Sequence, residues 1–378
     1  MRMTIYRPVF PRLASTFESS ITNTSPIRPS PIRHTRVSQL SHYRCAPIFR
    51  GYLKPSGTKN TKNHRTLHSK VLGTSTIKIV FALGSLSLGA GLFSGLKQTR
   101  GLAMSSKLIP SNPAEVVVIR HITPNVVTVS VPFARFGIIR VGGRGTILRL
   151  TSGALAVYSP VALMPEVQAK VAELGGDVRY LIAGDMEHHI FLSEWARAYP
   201  SAKLVGPKGL HAKRAAVKDD PRIGPEPFAF EWDASNAQSN QVDADFAADF
   251  EVEFVGAHPN KEVVLLYKPD RILVEADLMF NLPAVEQYSR VAAADKAAHG
   301  LLNRIFEGAN STGGDAKGIR RFLWYVISRG DRAGFNASAR RVADWDFDTI
   351  VPCHGETVVG GGKDLFRKAF EWHLQGHK

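Results

Sequence analysis

Hydrophobic positions alternate with polar ones through the first part of the folded region. From Ile122 to Tyr158, alternating and β-branched apolar residues gather in three runs: Val126 to Phe133, Thr146 to Leu150 and Ala154 to Tyr158. The last two runs are separated by Ser152-Gly153, so this stretch predicts consecutive strands joined by tight turns. The period then changes. Met164, Val167, Val171 and Leu174 share one face at helical spacing, and Gly175-Gly176 ends the pattern. A short apolar run, Val178 to Ala183, predicts a buried strand. Ile190 to Tyr199 reads as a helix, and Lys203 to Gly206 as an extended segment turned by Pro207 and Gly209.

Residues 215–250 form a polar stretch with Phe228, Phe230 and Trp232 set among acids that include Asp219, Asp220, Glu226, Asp233, Asp243 and Asp245, a composition expected of a lid or binding loop. Three strands are predicted next, Glu251 to Gly256, Val263 to Tyr267 and Arg271 to Ala276. A mostly helical stretch over 284–345, a last strand at Asp348 to Pro352 and a terminal helix from Lys363 to Leu374 complete the pattern. Strand-rich sequence at both ends with helices between predicts an α/β fold of two packed sheets with helices outside, a four-layer α/β/β/α sandwich over 105–378.

Charge separates this body from what precedes it. Residues 1–104 hold 16 Lys and Arg against one acid, Glu18, whereas the remainder balances 32 bases against 32 acids. The chain's net charge of +15 therefore belongs to the leader. A neutral body argues against a nucleic-acid partner, which calls for a basic surface. Residues 1–76 are rich in Ser, Pro and Arg, predicted to lack a stable fold, and have the composition of a mitochondrial transit peptide. Translation starting at Met104 would instead leave the body in the cytoplasm. Residues 77–97 contain an uncharged run, Ile79 to Leu96, long enough for a membrane anchor although seven of its 18 positions are Gly or Ser. Cys45 lies in the leader and Cys353 in the body, so the body cannot close an internal disulfide.

Candidate chemistry collects where strands end. Gly184-Asp-Met-Glu-His-His189 follows one predicted strand, His258 another, Asp277 a third and His354 the last. Strand ends along one sheet rim can bring ligands from distant sequence onto one cation.

These blocks, with Gly153 to Pro160, His188 to Trp195, Pro269 to Pro283 and Asp346 to Gly355, resemble the metallo-β-lactamase superfamily over residues 115–378. Within it the chain is similar to an uncharacterised branch carrying a domain-of-unknown-function label. Superfamily hydrolases carry a His-x-His-x-Asp-His signature; laid on this chain it becomes Gly184-x-Met186-x-His188-His189. Gly184 has no ligand atom and a Met thioether is a poor zinc donor. His258 is then what remains of the first metal site.

The second site keeps His189, Asp277 and His354, with His188 in place of its Asp. The resemblance thus implies a metal set drawn from His188, His189, His258, Asp277 and His354, holding one zinc or another transition ion. A one-residue slip would instead place Asp185 and Glu187 at the first two His positions and His189 at the Asp. Asp185 and Glu187 are candidate catalytic bases beside the ion. The expected activity is metal-dependent hydrolysis of a small ester, thioester or lactone; the alternative is a non-catalytic scaffold, tethered to a membrane, that binds a small molecule or protein.

Overall fold

The computed structural model describes residues 112–292 and 300–376. The leader at 1–76 and the candidate anchor at 77–97 lie outside them, and among the described residues no helix is long and apolar enough to cross a membrane.

Strands β1 (Val118–Thr123), β2 (Val126–Val131), β5 (Gly143–Arg149), β6 (Leu155–Tyr158), β7 (Val178–Ile182), β8 (Lys203–Pro207) and β9 (Phe230–Trp232) hydrogen-bond in that order into one sheet. Between β2 and β5 the chain folds out a small hairpin, β3 (Ala134–Arg135) and β4 (Ile139–Arg140). The second sheet runs β10 (Phe250–Val255), β11 (Glu262–Tyr267), β12 (Ile272–Glu275) and β13 (Thr349–Pro352). Helices are α1 (Pro113–Val116), α2 (Pro165–Glu173), α3 (Leu192–Ala198), α4 (Leu210–Ala216), α5 (Ala244–Asp249), α6 (Leu301–Ala309), α7 (Lys317–Phe322), α8 (Arg332–Asp344), α9 (Gly362–Ala369) and α10 (Glu371–Gln375).

The period of two along each strand sorts side chains between two cores. Tyr180 and Ile182 on β7 face inward with Val126, Leu148 and Val205, meeting Val252, Val263, Leu265, Val274 and Val351 of the second sheet. Their neighbours point the other way: Val127, Ile147, Val157, Leu181 and Leu204 pack under Val167 and Val171 of α2, Trp195 of α3 and Leu210 of α4. On the far side Val264, Leu266, Leu273 and Ile350 meet Ile319 of α7, Phe335 and Val342 of α8 and Phe366 of α9. Helices, sheet, sheet and helices follow one another, so the four-layer sandwich is the architecture found.

Three elements differ from the sequence reading. β1 pairs with β2 at the sheet edge, from residues left mostly unassigned by the alternation. Residues 215–250 do not form a free lid, because β9 joins the sheet and α5 seats Phe246 beside Trp232, both fully buried. Acids here serve local structure: Asp243 accepts the Phe246 N–H at the start of α5 and the Lys203 ammonium at 2.6 Å. The expected terminal helix from Lys363 divides into α9 and α10 around Phe370.

Gly355 marks the exit of β13. Its φ of +87° lies in the left-handed region, and a Cβ there would come within 2.0 Å of the Asn281 carbonyl oxygen. Its N–H lies 3.0 Å from Gln287 Oε1, which fixes the turn directly after His354. Gly355→Ala is predicted to destabilise the protein by about 2 kcal/mol or more, read as a lower midpoint in urea denaturation at unchanged slope.

Candidate metal centre

Four strand ends bring the sequence-predicted groups to one rim, but not to one point. Asp185, Glu187, His188 and His189 lie in the loop after β7, His258 in the turn between β10 and β11, Asp277 just past β12, and His354 just past β13. Among the described residues, His188, Asp277 and His354 offer ligand atoms within 4.8 Å of one another. His188 Nε2 and His354 Nε2 stand 3.1 Å apart, and His354 Nε2 is 3.1 Å from Asp277 Oδ1.

The remaining nitrogens fix both imidazoles. His354 Nδ1 lies 2.6 Å from the Gly142 carbonyl, which can only accept, so Nδ1 carries the proton. His188 Nδ1 lies 2.8 Å from Asp185 Oδ1 and donates to that carboxylate. In the neutral rings both Nε2 lone pairs, and a carboxylate oxygen, therefore face one small space with no hydrogen between them. This is a donor set for a cation: two imidazoles and one carboxylate suit zinc or a similar transition ion. Carbonyl or carboxylate support behind each ligating ring is the usual arrangement around such ions.

Asp277 is itself held from behind. Its N–H donates to Glu262 Oε2 at 3.0 Å, the Ala276 N–H donates to Glu262 Oε1 at 2.6 Å, and the Asn260 amide donates to Asp277 Oδ2 at 2.5 Å. Burial works against ionisation of Asp277, yet the contact with His354 and the positive charges of His188 and Arg135 hold its carboxyl well below the usual range. Glu262 and Glu275, both buried, are pushed up by burial first and by the neighbouring carboxylates second. The acids beneath the site are thus shifted in opposite directions: Asp277 toward the carboxylate, the two glutamates toward the protonated form.

The other predicted groups sit elsewhere. His189 turns away toward Arg214, whose Nη1 lies 3.4 Å from its Nδ1 and donates to its carbonyl oxygen at 2.6 Å. Burial, with Lys213 and Arg214 nearby, lowers the His189 pKa to about 4. His258 accepts the Asn260 N–H at its Nδ1 (3.2 Å) and lies outside the three-residue cluster. Burial lowers its pKa, against the opposing charge of Asp277. Asp185 is fully buried, with Oδ1 accepting from the backbone N–H groups of Glu187 and His188 as well as from the His188 ring. Glu187 is more than half exposed and pairs with Lys213 at 2.9 Å.

Packing closes the Gly184 position. A Cβ on Gly184 would lie 2.5 Å from the Tyr158 hydroxyl, and that hydroxyl donates to the Val263 carbonyl at 2.7 Å inside the inter-sheet core. Met186 packs its side chain among the residues under the first sheet. Position 184 cannot present a side-chain ligand without rebuilding the inter-sheet core.

His188 and His354 border a largely apolar cleft walled by Pro132, Phe133, Val161 and Phe191, with Glu187 and Arg144 at its polar edge. Sequence reasoning did not find Asn260, the Gly142 carbonyl or Arg144. Arg144 is buried and donates from Nη1 to the Pro352 carbonyl at 2.6 Å, tying β5 to the end of β13. A lone Arg in an alternating strand carries no signal of that role.

A search of curated proteins found no match. Among solved structures, the chain is similar to a metallo-β-lactamase from Pontibacter korlensis, at 12% identity and a TM-score of 0.42 over 68% of this chain and 98% of the other. It is also similar to FIM-1 metallo-β-lactamase from Pseudomonas aeruginosa in its mono-zinc form, at 13% identity and 0.41 over 69% and 96%. A third is the metal-soaked Flv1 flavodiiron core from Synechocystis sp. PCC6803, at 13% identity and 0.44 over 68% of this chain and 60% of the other. A family model described as a domain of unknown function, DUF4336, matches residues 135–329, just over half of the chain and including His188 and Asp277. The chain belongs to that family, carried here on a four-layer sandwich.

Proposed function

We propose that the domain is a metal-dependent hydrolase of a small ester, thioester or lactone, using a single ion held by His188, Asp277 and His354. The observation that carries this reading is the number of converging donors. Catalytic zinc sites keep three protein ligands and an open position, whereas four protein ligands close a site. With His189 committed to Arg214 and His258 outside the cluster, three donors converge, and the two imidazoles border the apolar cleft. Such an ion supplies Lewis acidity to a carbonyl and a nucleophile at neutral pH.

The protein's own residues do the rest. Asp185 acts through His188: it holds the ring in the tautomer that presents Nε2, and its fully buried position keeps it from the substrate. Glu187 is the carboxylate bordering the cleft and serves as proton carrier to the leaving group. Pro132, Phe133, Val161 and Phe191 exclude water and receive an acyl chain. Loss of the Gly184 and Met186 positions leaves room for one ion, not two. The reading predicts that His354→Ala and Asp277→Ala each lower metal affinity by at least about tenfold and abolish turnover on a thioester and lactone panel. Glu187→Gln should keep the metal and lose about a hundredfold in kcat. Unchanged metal content and unchanged turnover in the His354 and Asp277 variants would contradict it and favour the non-catalytic scaffold.

A proton competes with the ion. Burial alone would lower the His188 pKa, but the Asp185 carboxylate and its hydrogen bond, with Asp277 beside them, raise it to about 9. In the metal-free protein at neutral pH, the proton on His188 Nε2 points at His354 Nε2 and fills the place of the cation. Metal binding must release it. Apparent affinity is therefore predicted to rise by about tenfold per pH unit between roughly pH 7 and 9 and then to level, measured by competition with a chelating dye. The folded-state pKa lies above the unfolded value. This group's contribution to metal-free stability is therefore complete below about pH 6.5 and lost as pH rises through about 9. Asp185→Asn should remove both effects.

A further inference from the structure

The β3–β4 hairpin carries unusual residues for an exposed turn. The Ile138 N–H donates to the Arg135 carbonyl at 3.1 Å, closing a two-residue turn in which Phe136 and Gly137 both take left-handed φ, +55° and +67°. Such turns favour Asn-Gly, because a bulky side chain in that region crowds its own backbone. Here the first position is Phe136, 45% exposed, and Ile138 is 56% exposed. Backbone preference and solvation both disfavour an apolar tip of this kind on a surface that meets water alone.

Helix α6 extends the patch. It packs against β4, where the Arg140 N–H donates to Asn303 Oδ1 at 2.8 Å and Phe306 joins Ile139 in one small core. The helix buries Asn303 and Asn310 at its other end and leaves its first two residues, Leu301 and Leu302, exposed at 75% and 40%. Cations flank these four apolar side chains. Arg140 ends the hairpin with its guanidinium 5.1 Å over the Tyr288 ring, and Arg304 is exposed on α6. Arg135 is partly balanced by Asp277. In β3, β4 and α6 the one acid is Glu307, which accepts from Asn303 Nδ2 at 2.8 Å.

We propose that this face docks on an anionic lipid surface, with Phe136, Ile138, Leu301 and Leu302 entering the interface and Arg140 and Arg304 meeting the headgroups. A second copy of the chain fits less well. A stable dimer buries about 800 Å² on each side, more than a two-residue tip and the start of one helix offer, whereas interfacial binding needs only a small apolar face bordered by cations. The proposal uses neither the metal nor turnover, so it stands or falls apart from the hydrolase reading.

The test is local, because the basic leader would bring the chain to an anionic vesicle by itself. An environment-sensitive NBD fluorophore is placed at position 138 of the full chain as C45S/I138C, Cys353 being buried. Vesicles of phosphatidylcholine with about one quarter phosphatidylserine are added until all the protein sediments with them. Emission at 138 is expected to rise about twofold or more and to be quenched by lipids carrying a doxyl group on the acyl chain. The same probe in C45S/A234C, beyond β9 and four strands along the first sheet from β5, should do neither. R140Q/R304Q and L301S/L302S should each cut the rise at 138 by about half or more. An unchanged probe at 138 on sedimented protein would overturn the proposal, as would an equal rise at 234. A rise at 138 with protein concentration in the absence of lipid would overturn it in favour of a second copy.

Discussion

The Nε2 atoms of His188 and His354 face each other at 3.1 Å because each ring's other nitrogen is already committed, one to Asp185 and one to the Gly142 carbonyl. Two lone pairs and the Asp277 carboxylate cannot share that space unaided. A proton or a metal ion must lie among them, and the site's chemistry follows from which of the two is present. The sandwich exists in a form that enforces this constraint. Gly142 leads into the first sheet at β5, Asp185 follows β7, and Asp277 and His354 follow parallel neighbours β12 and β13 in the second sheet. Displacing either sheet relative to the other would separate the donors.

That constraint also explains the buried acids. Glu262 fastens the end of β12 by accepting two consecutive N–H groups, and Glu275 accepts the Met279 N–H behind the same turn. Burial and the neighbouring carboxylates push both groups up, in a region that already contains Asp185 and Asp277. Tyr158 completes the frame. Its hydroxyl joins the two sheets through Val263 and stands where a side chain at 184 would have to pass, so the inter-sheet core holds that position to glycine.

Much of the sandwich was legible because both sheets bury both faces, which writes continuous or alternating apolar runs such as Val126 to Val131 and Glu262 to Tyr267. The edge strand β1 was missed because its exposed and half-buried positions leave a weaker alternation. The rim itself was legible from His and Asp residues at strand ends. Which residues converge was not. His188 and His189 are adjacent in sequence, and a loop can turn either one inward; the choice is made by Asp185 on one side and Arg214 on the other. Likewise the sequence offers Asp185 as a candidate base beside the ion; the structure buries it and turns its Oδ1 onto the N–H groups of Glu187 and His188 and onto the His188 ring. Asn260 gave no signal, since its hold on Asp277 comes from tertiary neighbours alone.

The central claim is that one cation binds to two imidazoles and one carboxylate from His188, His354 and Asp277. X-ray absorption spectroscopy of the zinc-loaded protein tests it most directly. The account predicts a first shell of two imidazole nitrogens with oxygen donors completing it, and loss of one imidazole in His188→Ala but not in His189→Ala. A shell of three or more imidazoles, or one that loses an imidazole with His189 and not with His188, would contradict it.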